Sequence, residues 1–333
     1  MLDDRKAAIL RAVVEEYIDT AQPVGSGHLA RSAGIDVSPA TIRNEMAALE
    51  HDGYLDQPHT SAGRVPTEKG YRFFVDSLDA PGMLEPSQRQ QVKSFFARAH
   101  GELEQMLTET SRLLSNLTDH TAVVVAPGHE RATIRSAQLV PLAPRVALVV
   151  AVLSNGAVDK RTLELPGEVG EDRVAAASAH LAATLVGTTL ATVTTAPTTG
   201  DPTTDEVVSG ALLALRSSGE DDADQMYVGG AARMAQSFEA VQTVRRVLEL
   251  LEHQLVVVSL LHDVLDRGLS VAIGTEMGLE PLAECAVVVA PYDVDGERAG
   301  TIGILGPTRM NYPQALAAVA TVSQRLGHRL REG

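Results

Sequence analysis

Residues 37–74, VSPATIRNEMAALEHDGYLDQPHTSAGRVPTEKGYRFF, pack a run of start and stop signals that few folds satisfy. Ser38 is an N-cap residue with Pro39 in the first turn behind it, and Gly53 stops the helix that follows. YLDQP and RVP flank the turn-rich HTSAG, the pattern of a short two-stranded hairpin. Thr67 then caps a helix through EKGYRFFVDSL. Upstream, Ile9, Leu10, Val13, Val14, Tyr17 and Ile18 recur at helical spacing over 3–19. Ser26 opens a short helix, GHLARSA, that Gly34 ends. Three helices with a tight turn between the second and third, then a hairpin, make a winged helix-turn-helix pattern over residues 1–78.

At about 100° per residue, Ile42, Met46 and Leu49 fall within roughly 60° of one another and must face a core. The opposite side carries Ala40, Asn44, Ala47, Ala48 and His51, with Thr41 and Arg43 on its shoulders. A helix meant for water alone would place Lys and Glu there; small residues around one Asn admit another surface. In a major groove Asn pairs bidentately with adenine and Arg with guanine, each good pair giving roughly 1–3 kcal/mol of discrimination. The bland reading is an alanine-rich surface helix. HTSAGRVP adds His59, Thr60, Ser61 and Arg64 at a hairpin tip suited to phosphates or a minor groove. Alternatively, Gly63 is a left-handed turn residue and Arg64 a solvated side chain. Lys69, in the first turn of the next helix, gains nothing from the helix dipole and faces either phosphate or water. The candidate DNA-binding set is Ser38, Ala40, Thr41, Arg43, Asn44, Ala47, His59, Thr60, Ser61, Arg64 and Lys69.

A formal charge of −15 opposes a general nucleic-acid binder, because non-specific affinity comes from cations neutralising phosphates. Residues 1–75 hold eight Lys and Arg against eleven acids, so only three of those charges fall there and twelve elsewhere. Acidic distal regions weaken non-specific binding and favour discrimination.

DAPGM at 79–83 reads as a linker. From about 86 to 118 a long helix carries Val92, Phe96, Ala99, Leu103, Met106, Thr110, Leu113 and Leu117 in 4-3 alternation, widened by Leu107 and Leu114. That stripe fits either a coiled-coil seam between two subunits or a helix packed on its own domain. Beyond 120 the texture is β-rich, with SNGAVD as a hairpin turn. Residues 171–190 and about 205–218 turn helical, split by a Thr/Pro-rich loop, and two helices meet around Gln254. Strands return in LSVAIGTE and AECAVVVAPYDVDGERAGTIGILGP, before a C-terminal helix from about Pro313. The order suggests an α+β chain: one sheet domain over 119–169 and 267–333, and a largely helical insertion at 170–266. With no Trp and 3 % aromatics, the cores must be aliphatic. The single cysteine, Cys285, reads as a small core residue in a reducing cytosol. The charged N-terminus has no signal-peptide pattern, and no apolar run approaches the roughly 18 residues of a membrane span, so a cytoplasmic protein is expected.

The search for an enzyme yields little. GTIGILG spaces Gly300, Gly303 and Gly306 unlike a dinucleotide fingerprint. VGSGH lacks the spacing of a nucleophile elbow, and Ser26 serves better as a cap. His51 and His59 match no metal signature, His262-Asp263 reads as a surface pair, and GEDDADQ at 219–225 as a solvated loop. Neither catalysis, a metal nor a cofactor is expected. A small-molecule-responsive winged-helix regulator is the alternative.

PVGS, SPATIRNEMAALEHDGYLDQPHTSAGRVPTEKGYRFFV and, some 230 residues later, GTIGILGPTRMNY closely resemble the HrcA family of bacterial heat-shock repressors. The resemblance implies a winged helix, a GAF-like domain and a dimerising domain inserted in the latter, at 170–266 here. It also implies a homodimer on an inverted-repeat operator of the CIRCE type, repressing chaperone operons until heat relieves it. The GroEL chaperonin is implied as a maintenance partner. By position, the recognition helix would run from Ser38 to His51, with Thr41, Arg43 and Asn44 as DNA contacts, and the wing from His59 to Arg64. One departure is Gly27-His28, where a longer basic residue would be expected after the Ser.

Overall fold

Helix α1 (Asp4–Thr20) starts at Asp3, whose carboxylate accepts the Lys6 backbone N–H, and buries the face made by Ile9, Leu10, Val13 and Val14. Helices α2 (Ser26–Ser32) and α3 (Pro39–His51) follow, then the two-residue strands β1 (Leu55–Asp56) and β2 (Val65–Pro66), paired antiparallel, and helix α4 (Glu68–Asp76). Two of the start signals operate as caps: Ser38 Oγ accepts the Thr41 N–H and Thr67 Oγ1 accepts the Gly70 N–H. Ser26 does not cap α2; it is the first residue of that helix, and the Gly25 carbonyl accepts the Leu29 N–H. The computed structural model describes residues 2–32, 37–59, 63–78, 82–98, 102–127, 132–154, 157–189, 192, 195–221, 225–233, 238, 241–267, 270–294 and 296–332.

The expected long helix is two, α5 (Pro86–Arg98) and α6 (Leu103–Thr118). Its apolar stripe is consumed inside the chain. Val92, Phe96, Leu107, Leu113, Leu114 and Leu117 join one core with Ile9, Ile42, Phe74 and the inner face of a sheet. The stripe is therefore wide because it meets several elements of its own chain, and it does not serve as a subunit seam.

That sheet has five antiparallel strands in the order β7-β3-β10-β9-β8: β3 (Thr121–Val125), β7 (Met226–Gly229), β8 (Val271–Ile273), β9 (Cys285–Val294) and β10 (Glu297–Pro307). Both faces are covered. Helices α6 and α11 (Tyr312–Glu332) lie in the core on one side, and α9 (Val241–Glu252) and α10 (Gln254–Asp266) on the other. Burial on both faces explains the unbroken apolar runs TAVVV and CAVVV. Cys285 sits fully buried here, and desolvation pushes its thiol up to about 12, out of the reactive range. GTIGILG lies in β10, between β3 and β9.

Between β3 and β7 the chain builds a second, separate sheet. Strands β4 (Ile134–Ala143), β5 (Val146–Leu153) and β6 (Val158–Glu164) form an antiparallel meander, with α7 (Glu171–Leu185) and α8 (Pro202–Asp221) sharing its core. Strand pairing thus divides the chain differently from the expected insertion at 170–266. Residues 134–164 leave the main sheet and join α7 and α8, whereas 241–266 return to cover it. The excursion is itself mixed α and β. Runs of strand residues declare a sheet but not which strands pair, and VALVVAVL in β5 is as unbroken an apolar run as those of the covered sheet; its half-covered state shows in its burial, where every second residue is buried.

Candidate nucleic-acid interface

Helix α3 presents two contrasting faces. Ile42, Met46 and Leu49 are at most 2 % exposed and anchor it, while Ala40, Arg43, Asn44, Ala47 and His51 face solvent together. Among the described residues, the Arg43 and Asn44 side chains make no hydrogen bond or ion pair, so both stand available on a face of small neighbours. Ser38 and Thr41 are differently employed. Their hydroxyl oxygens lie 2.9 Å apart within the N-cap, fixing the start of the helix.

The hairpin is held as tightly as the helix. Arg64 and Val24 exchange both backbone hydrogen bonds, at 2.8 and 2.9 Å, so the segment after α1 adds a third extended piece beside β2. Gly63 is needed for this approach. A Cβ there would lie 2.4 Å from the Val24 carbonyl, and its backbone is not in the left-handed region, which corrects the turn-residue alternative. The Arg64 side chain is neither solvated nor aimed outward. Its Nε and Nη2 donate to Glu50 Oε2 at 2.9 and 2.7 Å, tying the hairpin to the last turn of α3. Lys69 likewise donates to the Asp52 carbonyl at 2.8 Å, with its ammonium 4.2 Å from the Tyr54 ring centre. It completes the α3 C-terminus, where a cation complements the helix dipole.

Of the candidate residues, Ala40, Arg43, Asn44 and Ala47 share the open face, and His59 is exposed on the loop after β1. Ser38, Thr41, Arg64 and Lys69 are occupied in positioning α3. Thr60 and Ser61 lie outside the described residues. Sequence reasoning missed Glu50, recognisable only through its partner Arg64, and Arg31, an exposed cation near the end of α2. His28, which stands where a longer base was expected, pairs with Glu16 of α1 at 2.9 Å.

The described residues contain no helix long and apolar enough to cross a membrane, and no cluster of His, Cys, Asp and Glu able to hold a metal. What this surface can do chemically is bind: a small-residue helix face with one amide and one guanidinium, on a rigid base.

Comparison with known proteins agrees over the whole length. The profile of the HrcA protein C-terminal domain matches residues 104–316. The chain is 37 % identical over 334 residues to the heat-inducible transcription repressor HrcA of Symbiobacterium thermophilum, covering 98 % of each chain. It is 40 % identical over 336 residues to that of Pseudarthrobacter chlorophenolicus, again covering 98 % of each. A crystal structure titled only as a hypothetical protein shares the fold, with a TM-score of 0.64 at 24 % identity over 99 % of this chain and 98 % of that one. Full-length identity at this level, together with a matched domain that takes in both sheets, means that the chain belongs to the HrcA family of heat-inducible transcription repressors.

Proposed function

We propose that the chain represses transcription by binding, as a homodimer, an inverted-repeat operator of the CIRCE type, and that heat relieves this repression. Residues 1–78 act as a winged helix-turn-helix, with α3 entering the major groove. The observation that carries this is the α3 face of Ala40, Arg43, Asn44 and Ala47, open to solvent and without side-chain partners among the described residues. Arg43 and Asn44 read base edges; Ser38 and Thr41 meet backbone phosphate near the helix N-terminus, and His59, Thr60 and Ser61 do so from the wing. Arg64 and Lys69 contribute chiefly by holding α3.

Dimerisation falls to the excursion between β3 and β7. In β5, Ala147, Val149, Ala151 and Leu153 point into the core, so Val146, Leu148, Val150 and Val152 form the opposite face. Register places Val140 of β4 beside Leu148 and Val158 of β6 beside Val152. Val140 and Val158 are 40 % and 47 % exposed. An apolar stripe across three strands, rimmed by Gln138, Lys160, Thr162 and Glu164, has the make-up of a subunit interface. The five-stranded sheet with its helices corresponds to the GAF-like domain, and a cytoplasmic location follows from the operator.

A mobility-shift titration tests this reading with an inverted-repeat duplex and a scrambled duplex of equal composition, on both sides of the heat-shock temperature. Tight binding to the repeat alone, lost reversibly on warming, is expected. Equal weak binding to both duplexes, unchanged by adding the GroEL chaperonin, would overturn it.

A further inference from the structure

Helix α4 has contacts in two directions. Toward the DNA-facing side, Thr67 at its N-cap donates to the Gly53 carbonyl at 2.7 Å and Lys69 donates to the Asp52 carbonyl, so α4 grips the end of α3. Toward the five-stranded sheet it meets the 3-10 turn Gly274–Met277 that follows β8. Arg72 donates from Nε to Glu276 Oε1 at 2.8 Å, from Nη2 to Glu276 Oε2, and from Nη2 to the Val271 carbonyl at 2.9 Å. Glu276 Oε2 also accepts the Ile273 N–H at 2.9 Å, which fixes that carboxylate before Arg72 reaches it. One turn earlier on α4, Glu68 accepts from Thr275 Oγ1 at 2.6 Å and from the Thr275 N–H at 3.3 Å.

Gly274 makes the approach possible on two counts. Its φ is +54°, and a Cβ there would stand 2.1 Å from Glu68 Oε1. Arg72 and Glu276 are only 21 % and 32 % exposed, so the pair is bidentate, partly shielded and geometrically exacting. It also spans regions 204 residues apart. An unstructured hinge between the DNA-facing helices and the sheet would need none of this.

We infer that Arg72 and Glu276, with Glu68 and Thr275, are positioning residues for operator choice. They lock the attitude of α3 against the sheet, and in a dimer they thereby set the separation of the two recognition helices. The inference rests on the operator-binding dimer proposed above. None of these side chains needs to touch DNA, and half-site spacing is the quantity they control, because paired recognition helices must match the helical repeat.

The test uses the full chain with Arg72→Ala and Gly274→Ala. Binding is measured on a single half-site, on the inverted repeat, and on repeats with the spacer lengthened or shortened by one and two base pairs. Arg72→Ala and Gly274→Ala should keep half-site affinity within about twofold, lose about tenfold or more on the repeat, and flatten the spacer preference. Equal losses on half-site and repeat, or an unchanged spacer preference, would overturn the inference.

A DNA-free readout separates its failure from that of the operator reading. Spin labels at Asp19→Cys and Asp263→Cys, both exposed, report the distance between the two regions while Cys285 stays buried. Singly diluted labelled protein should give a narrow distribution that broadens in Arg72→Ala. A distribution equally narrow in the variant overturns the latch. Broadening in the variant, with a parent chain that ignores inverted repeats, supports the latch and removes the operator reading instead.

Discussion

The five-stranded and three-stranded sheets are both antiparallel, yet their strands are buried differently. β3 and the first half of β9 are buried at every position, whereas β5 alternates buried with half-exposed along its whole length. The first pattern belongs to a sheet sandwiched between helices, which has nothing left to bind with. The second belongs to a sheet covered on one side, and its uncovered side is Val, Leu and Val where Thr, Lys and Glu would be usual. The same contrast separates α4, whose polar groups are spent inside the chain, from the outward face of α3, whose Arg43 and Asn44 side chains have no partner among the described residues.

Breaking the comparison on its buried side should have the largest effect. Ile302, fully buried in β10, contacts the core shared with α6 and α11; Ile302→Ala should cost about 2–5 kcal/mol in urea unfolding. Leu148→Asp, on the outer face of β5, should behave oppositely. Its unfolding as a monomer should change by no more than about 1 kcal/mol, while sedimentation should show the dimer dissociating at concentrations at least tenfold higher. A monomeric parent, or a dimer indifferent to Leu148→Asp, would remove the second sheet from the interface.

Acid sharpens the contrast. His120, between α6 and β3, is held by burial at about 4, below the ordinary 6.5, with Asp119 pulling weakly the other way. Above pH 6.5 both folded and unfolded chains carry it neutral, so it contributes nothing. As pH falls from 6.5 toward 4 the unfolded chain takes up a proton that the folded one refuses, and stability drops by on the order of 1–3 kcal/mol. Melting of the parent chain should therefore fall further between pH 7 and 4.5 than that of His120→Gln. Equal falls would show that this imidazole is solvated.

Much of the N-terminal region was legible because its signals are local. Ser38, Pro39, Gly53 and Thr67 each act within a few residues of themselves, and caps and stops do not depend on distant partners. The open face of α3 followed from the helical wheel alone. Arg64 and Lys69 were legible as cations but not as struts, because Glu50 and the Asp52 carbonyl meet them only after the hairpin folds back. The same limit applied downstream. Strand residues at 134–164 announced a sheet, but its membership depends on pairing, and long-range pairing leaves no mark in a single strand. The break of the 86–118 stripe into two helices was hidden for a related reason: a wide apolar stripe is compatible with one long partner or several short ones.

The effects expected at α3 bear most directly on function. Fluorescence anisotropy with an inverted-repeat duplex should show Arg43→Ala and Asn44→Ala each losing about 1–3 kcal/mol, with circular dichroism and melting unchanged. On a scrambled duplex the parent chain and both variants should bind alike and weakly. In a salt series the parent's slope should stay shallow for a dimer of this size, in keeping with a charge of −15 and few free cations near α3. Loss on the repeat alone is the result this account requires. Undiminished binding by both variants, or equal losses on the two duplexes, would contradict the assignment of α3 as the helix that reads the operator.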